Sequence, residues 1–142
     1  MQRQRGAALV EFALLMPFML ILTLSVTEIG RAYYQYNTIA KSVREAARYL
    51  SVRARNVDVD KASNIVVYGN PDITGSPPPL ALGLSLSMVN ATWDTTGSYP
   101  TINTVTVSVT GYKFVSLTSS VFGMSLGTIN FGAIQATMRS PA

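Results

Sequence analysis

Two residues of the run AALVEFALLMPFMLILTLSV, residues 7 to 26, do not suit an apolar helix: Glu11 and Pro17. A carboxylate within a membrane helix costs at least about 2.5 kcal/mol on insertion scales, so it needs a cation nearby or a role. Proline removes the hydrogen bond to the carbonyl four residues back, here Ala13, and kinks or loosens the helix. Other chemistry-bearing residue types are scarce. The 142 residues include no cysteine and no histidine, which excludes disulfides, Cys/His zinc sites, and thiol or imidazole catalysis. Asp58 and Asp60 form a D-x-D beside Lys61. Calcium binding there competes with the blander reading of a solvated helix-end loop. No convergent acidic pair appears, so no catalytic residue, metal site or cofactor is assigned.

The elements that position Glu11 and Pro17 follow from hydropathy. Twenty apolar residues in a helix span about 30 Å, the thickness of a bilayer's hydrocarbon core. The run closes at Thr27-Glu28 with Arg31 behind it, and Tyr33, Tyr34 and Tyr36 follow as an aromatic belt would. The helical period then continues. Ile29, Tyr33, Tyr36, Ala40, Val43, Ala47, Leu50, Ala54 and Val57 step by three and four, with Lys41, Arg44, Glu45, Arg48 and Arg55 on the polar side. One helix is expected from about residue 7 to about residue 55, roughly 75 Å if unbroken. Its first half is apolar all round and its second half amphipathic.

Beyond it the pattern changes. NIVVY (64–68) reads as a short β-branched strand, and GNPDITGSPPP (69–79) as turn and polyproline chemistry. Residues 80–93 alternate in part and read as a strand. TVTVSVT (104–110) is the cleanest period-2 signal, with Val105, Val107 and Val109 on one face. Tyr112 and Phe114 have the opposite parity, which suggests a bulge at Gly111. SLTSSVFGMS (116–125) reads as a loop and 126–139 as a last strand. The fold class expected is α+β: a long N-terminal helix, transmembrane then amphipathic, packed on a small antiparallel sheet in a β-rich head. The divisions expected are 1–6 leader, 7–27 membrane and assembly helix, 28–56 amphipathic extension and 57–142 β-rich head.

Charge is uneven. Charged residues make up 13% of the chain, against about 25% in ordinary soluble domains. Nine of the eleven basic residues lie in the first 61, so the net charge of +4 belongs to that N-terminal part. The cationic side chains Lys41, Arg44, Arg48 and Arg55 could meet anionic lipid headgroups or nucleic acid. A solvated face, with Glu45 placed to meet Lys41 and Arg48, is the simpler reading, and no nucleic-acid partner is expected. Trp93 reads as a core or edge residue of the head.

Four readings compete for residues 1 to 30: a signal anchor, a cleaved secretory signal, a buried soluble helix, and a prepilin-type segment. The best site for a secretory cut, Ser25-Val26-Thr27, is weak, and twenty apolar residues fit a soluble core poorly. The fourth reading uses the odd residues. MQRQRG resembles the short basic leaders of type IV pilin-like proteins, which are cut after a glycine and carry glutamate at the fifth mature position. A cut between Gly6 and Ala7 puts Glu11 at that position. It also creates the cation Glu11 needs, the α-amine of Ala7. Between neighbouring subunits, such a pair in a low-dielectric core rewards only the correct stagger.

The resemblance then narrows. RGAALVEFALLMPFMLIL followed by EIGRAYYQYNTIAKSVREAARYLS resembles the TadE-like minor pilins, or pseudopilins, of the tight-adherence (Tad/Flp) pilus. The residues that carry it are Arg5, Gly6, Val10, Glu11, Phe12, Ala13, Leu14, Pro17, Glu28, Gly30, Arg31 and AARY at 46–49. It covers residues 5 to 51 well and 104 to 139 more weakly, through the block YKFVSLTSSVFG. It implies cleavage by a prepilin peptidase at Gly6-Ala7, assembly and register through Glu11, Phe12 and Pro17, and a membrane exit at Glu28 and Arg31. It also implies an inner-membrane site with a cytoplasmic N-terminus and an extracytoplasmic head. The partners would be other pilin or pseudopilin subunits, the inner-membrane assembly platform and membrane lipid, in a pilus used for adhesion and biofilm formation. Two alternatives stay open: a pseudopilin of another type IV or type II secretion-like system, and a single-pass anchored extracytoplasmic binding domain.

Overall fold

The structure is a computed structural model, and it describes residues 3–116, 120–121, 124–125 and 128–140. Two compact units partition it. The first holds residues 1–33 and 116–127, and the second holds 34–115 and 128–142. Helix α1 (Arg3–Ser51) is assigned without a break through Pro17. Helix α2 (Val59–Tyr68) follows, then a 3₁₀ turn at Leu86–Met88. The strands are β1 (Val89–Thr96), β2 (Ile102–Val109), β3 (Lys113–Phe114), β4 (Ser120–Val121), β5 (Met124–Ser125), β6 (Ile129–Asn130) and β7 (Ile134–Arg139).

The second unit is an α+β head. Its sheet runs β1-β2-β7, antiparallel throughout. Register puts Val89, Val109 and Ile134 in one row, Ala91, Val107 and Ala136 in the next, and Trp93, Val105 and Met138 in a third. These rows form the inner face, because side chains alternate across a strand and every second residue points the same way. Against them pack Ile39, Val43, Ala46, Ala47 and Leu50 of α1, and Ile65 and Val66 of α2. The outer face is hydroxylated, and the Thr106 and Thr137 hydroxyls pair across strands at 2.8 Å. Full burial of each such Val, Leu or Ile contributes about 1.5–3 kcal/mol against conformational entropy.

Six expectations are corrected. NIVVY lies in α2, not in a strand. Ala62, Ile65 and Val66 fall at helical spacing on the buried side, and Gly69, at φ 77°, ends the helix by donating its N–H to the Ile65 carbonyl. Strength of β-branching misled there, since packing on one face outweighs local propensity. Second, α1 ends at Ser51 rather than near 55. Asn56 and Asp58 take left-handed φ of 63° and 57°, which closes the turn into α2. Third, residues 80–88 are not strand; Ala81 and Leu84 are buried from an irregular segment and pairing starts only at Val89. Fourth, the last strand is shorter than 126–139 and is divided into β6 and β7. Gly111, at φ 75°, sits after β2 has ended, so the parity change comes from a turn and not from a bulge within a strand. The expected loop 116–125 contains the β4–β5 pairing of Ser120 with Ser125 and Val121 with Met124. Residues 117–119, 122–123 and 126–127, which those expectations also covered, lie outside the described residues.

The buried stripe of α1 keeps Val43, Ala47 and Leu50 of the expected set, with Ala40 partly buried against the same core, and loses its two ends. Ile29 and Tyr33 are 63% and 70% exposed, and Ala54 and Val57 are exposed as well. In the second unit the fully buried row runs Ile39, Val43, Ala46, Ala47, Leu50. Gln35 lies four residues before Ile39. The buried Tyr112 hydroxyl lies 2.8 Å from Gln35 Oε1 and 3.1 Å from the Leu82 carbonyl, either of which accepts its proton. Phe131 stacks on Tyr112 and tilts against Tyr36, with ring centroids 5.8 and 5.5 Å apart. A polar contact thus claims a helix position that an apolar-only pattern leaves out.

Candidate functional site in the N-terminal helix

Gly6, Ala7, Glu11 and Phe12 all lie on α1 and are exposed, and Pro17 is half-buried. A Cβ at Gly6 would meet nothing within 4 Å, and Gly6 has ordinary helical φ. Neither packing nor backbone geometry therefore demands glycine there. Glu11 follows Ala7 by four residues, one helical turn. No ion pair to Glu11 is present among the described residues. Around it Leu9, Val10, Phe12, Leu14 and Leu15 are all more than half exposed. A contiguous apolar surface of this kind marks a membrane or protein contact.

The segment is long and apolar enough to cross a membrane: its mean hydropathy reaches 2.2 over an 18-residue window, none of it buried within the chain. It is a candidate membrane anchor. Its hydroxyl groups are compatible with lipid because each is satisfied locally. Thr23, Ser25 and Thr27 donate to the carbonyls of Met19, Ile21 and Thr23 at 2.8, 2.8 and 2.9 Å. The Ala13 carbonyl, by contrast, has lost its usual amide donor to Pro17.

At the end of the apolar run Glu28 and Arg31 are brought together. Arg31 Nη1 donates to both carboxylate oxygens of Glu28 at 2.9 Å, and Glu28 is only 9% exposed. The i,i+3 spacing permits the pair, and burial makes it necessary: an unpaired carboxylate there would keep its full desolvation cost. In the sequence the two stand only as a membrane exit; their pairing and the burial of Glu28 come from the structure.

The remaining charged candidates are used differently. Asp58 accepts from Arg53 Nε at 2.9 Å and lies 4.0 Å from Lys61, which also reaches Asp72 at 3.6 Å. Arg53 covers the Tyr49 ring at 3.4 Å and donates to the Tyr49 carbonyl, so it latches the α1–α2 turn. That i,i+5 pairing across a turn has no helical-spacing signal. Glu45 makes no ion pair with Lys41 or Arg48 within 4 Å among the described residues, contrary to expectation. Arg55 donates to the Trp93 carbonyl, and Trp93 is half-buried at the edge of the core. No group of three acidic, His or Cys side chains gathers to hold a metal ion among the described residues.

No curated protein and no solved structure matches the chain. A family model described as TadE-like protein matches residues 6–48. The match begins at the glycine before Ala7, includes Glu11, Pro17, Glu28 and Arg31, and stops three residues short of the end of α1. The weaker resemblance over 104–139 lies outside it. Over residues 6–48 the chain is thus similar to TadE-like proteins, consistent with a protein of the Tad pilus system.

Proposed function

We propose that the chain is a minor pilin or pseudopilin, cut by a prepilin peptidase between Gly6 and Ala7 and taken into a Tad/Flp pilus used for adhesion and biofilm formation. The observation that carries this reading is Glu11: an exposed carboxylate among exposed apolar side chains, with no partner in its own chain among the described residues. Cleavage supplies an α-amine at Ala7. In lipid the Ala7 amine and Glu11 of one chain neutralise each other across one turn, which lets the cut chain reside in the inner membrane. In the filament the carboxylate instead meets the amine of a neighbouring subunit, and the pair selects the stagger. Phe12 and the surrounding apolar side chains supply the non-directional part of that contact. Pro17 frees the Ala13 carbonyl and softens the helix where neighbours close around it. Arg3 and Arg5 favour a cytoplasmic N-terminus, which leaves the head outside.

The test is Glu11→Ala in a strain that assembles the pilus. The chain should still fractionate with membranes and be absent from sheared pili. Normal incorporation of the variant would sink the register argument.

A further inference from the structure

The second half of α1 carries a feature that processing and filament register do not use. Lys41, Arg44 and Arg48, at i, i+3 and i+7, rim a cleft of about 720 Å³. All three are exposed, and none has a carboxylate within 4 Å among the described residues, although Glu45 stands at helical spacing from Lys41 and Arg48. The helix dipole favours Arg48, in the last turn, but its effect fades before Arg44 and Lys41. Val52, Ile65 and Met138 line the same cleft, and Glu45 is the one carboxylate on its wall among the described residues. Val52 is 74% exposed, an aliphatic side chain held in water beside a row of like charges.

We infer that this cleft docks an acidic polypeptide segment with an apolar face, supplied by another protein. The cationic rim fits carboxylates, and the aliphatic lining fits the side chains between them. A second copy of this chain is a poor source, since Asp58 and Asp72 are already bridged to Arg53 and Lys61 and no acidic run is left over. Nucleic acid would want an aromatic platform, and the one ring here, Tyr49, is covered by the Arg53 guanidinium. A lipid surface is flat and would meet the rim and the exposed Val52 without reaching the buried Ile65.

The experiment uses the full chain in nonionic detergent micelles and a fluorescent amphipathic peptide of Leu and Glu at helical spacing, read by anisotropy. Saturable binding is expected. The double variant Arg44→Gln/Arg48→Gln should weaken it about tenfold, the effect of losing two exposed charge contacts. Lys113→Gln/Arg139→Gln removes the same charge from exposed strand positions and should leave binding unchanged. Val52→Asp, at an exposed site, should weaken binding as strongly as the arginine pair. The inference is overturned by absence of peptide binding, by equal loss in the two charge-matched variants, or by an unaffected Val52→Asp. Tighter capture of a single-stranded oligonucleotide or of anionic vesicles than of the peptide would also overturn it.

Discussion

The two halves of α1 share one backbone conformation and differ in where their side chains find partners. From residue 34 onward the helix is completed by its own chain: Ile39, Val43, Ala46, Ala47 and Leu50 are buried, and Gln35 meets Tyr112. In residues 7–22 Leu9, Phe12, Leu14, Phe18 and Leu22 are all more than half exposed. Helical structure alone therefore says little about function. What separates the halves is that one buries its apolar stripe against its own chain, and the other leaves its apolar side chains exposed.

Substitutions sharpen that contrast. The largest stability effect should come from Leu50→Ala, which opens a cavity among Val43, Ile65 and the sheet, and should destabilise the head by about 2–5 kcal/mol. The matched change Leu14→Ala removes the same atoms from an exposed position and should leave thermal unfolding of the head unchanged. Equal shifts for the two variants, measured by circular dichroism in one detergent, would erase the distinction between the halves. A smaller effect, about 1 kcal/mol, should follow Tyr112→Phe, which strips the hydroxyl from Gln35 and the Leu82 carbonyl while keeping the ring against Phe131.

The pattern of what could be read from the sequence follows the same division. The apolar run, the amphipathic continuation and the Val105-Val107-Val109 strand depend on periodic burial, and periodicity survives in one dimension. The identity of α2 did not, because its β-branched residues advertise a strand while Gly69 and the sheet's inner face hold them in a helix. The α1 stripe holds at Val43, Ala47 and Leu50 and departs at its N-terminal end: Tyr33 counts as apolar in a pattern yet is exposed, while Gln35 is the residue the head takes up. At the candidate site, Glu11 and Pro17 stand out by their misfit to an apolar helix and Gly6 and Ala7 by the resemblance to pilin-like leaders, and the exposure of Glu11 leaves its misfit unresolved within the chain. The burial of the Glu28–Arg31 pair and the cleft beside Lys41, Arg44 and Arg48 depend on side-chain placement and the convergence of distant elements, which spacing does not encode.

The central claim is that the boundary with functional meaning lies before the apolar run and not after it. The most direct measurement is the N-terminal sequence of the chain expressed with and without a prepilin peptidase. The account predicts a mature protein beginning at Ala7 only when the peptidase is present. Retention of Met1 in its presence, or a start beyond residue 25, would contradict it.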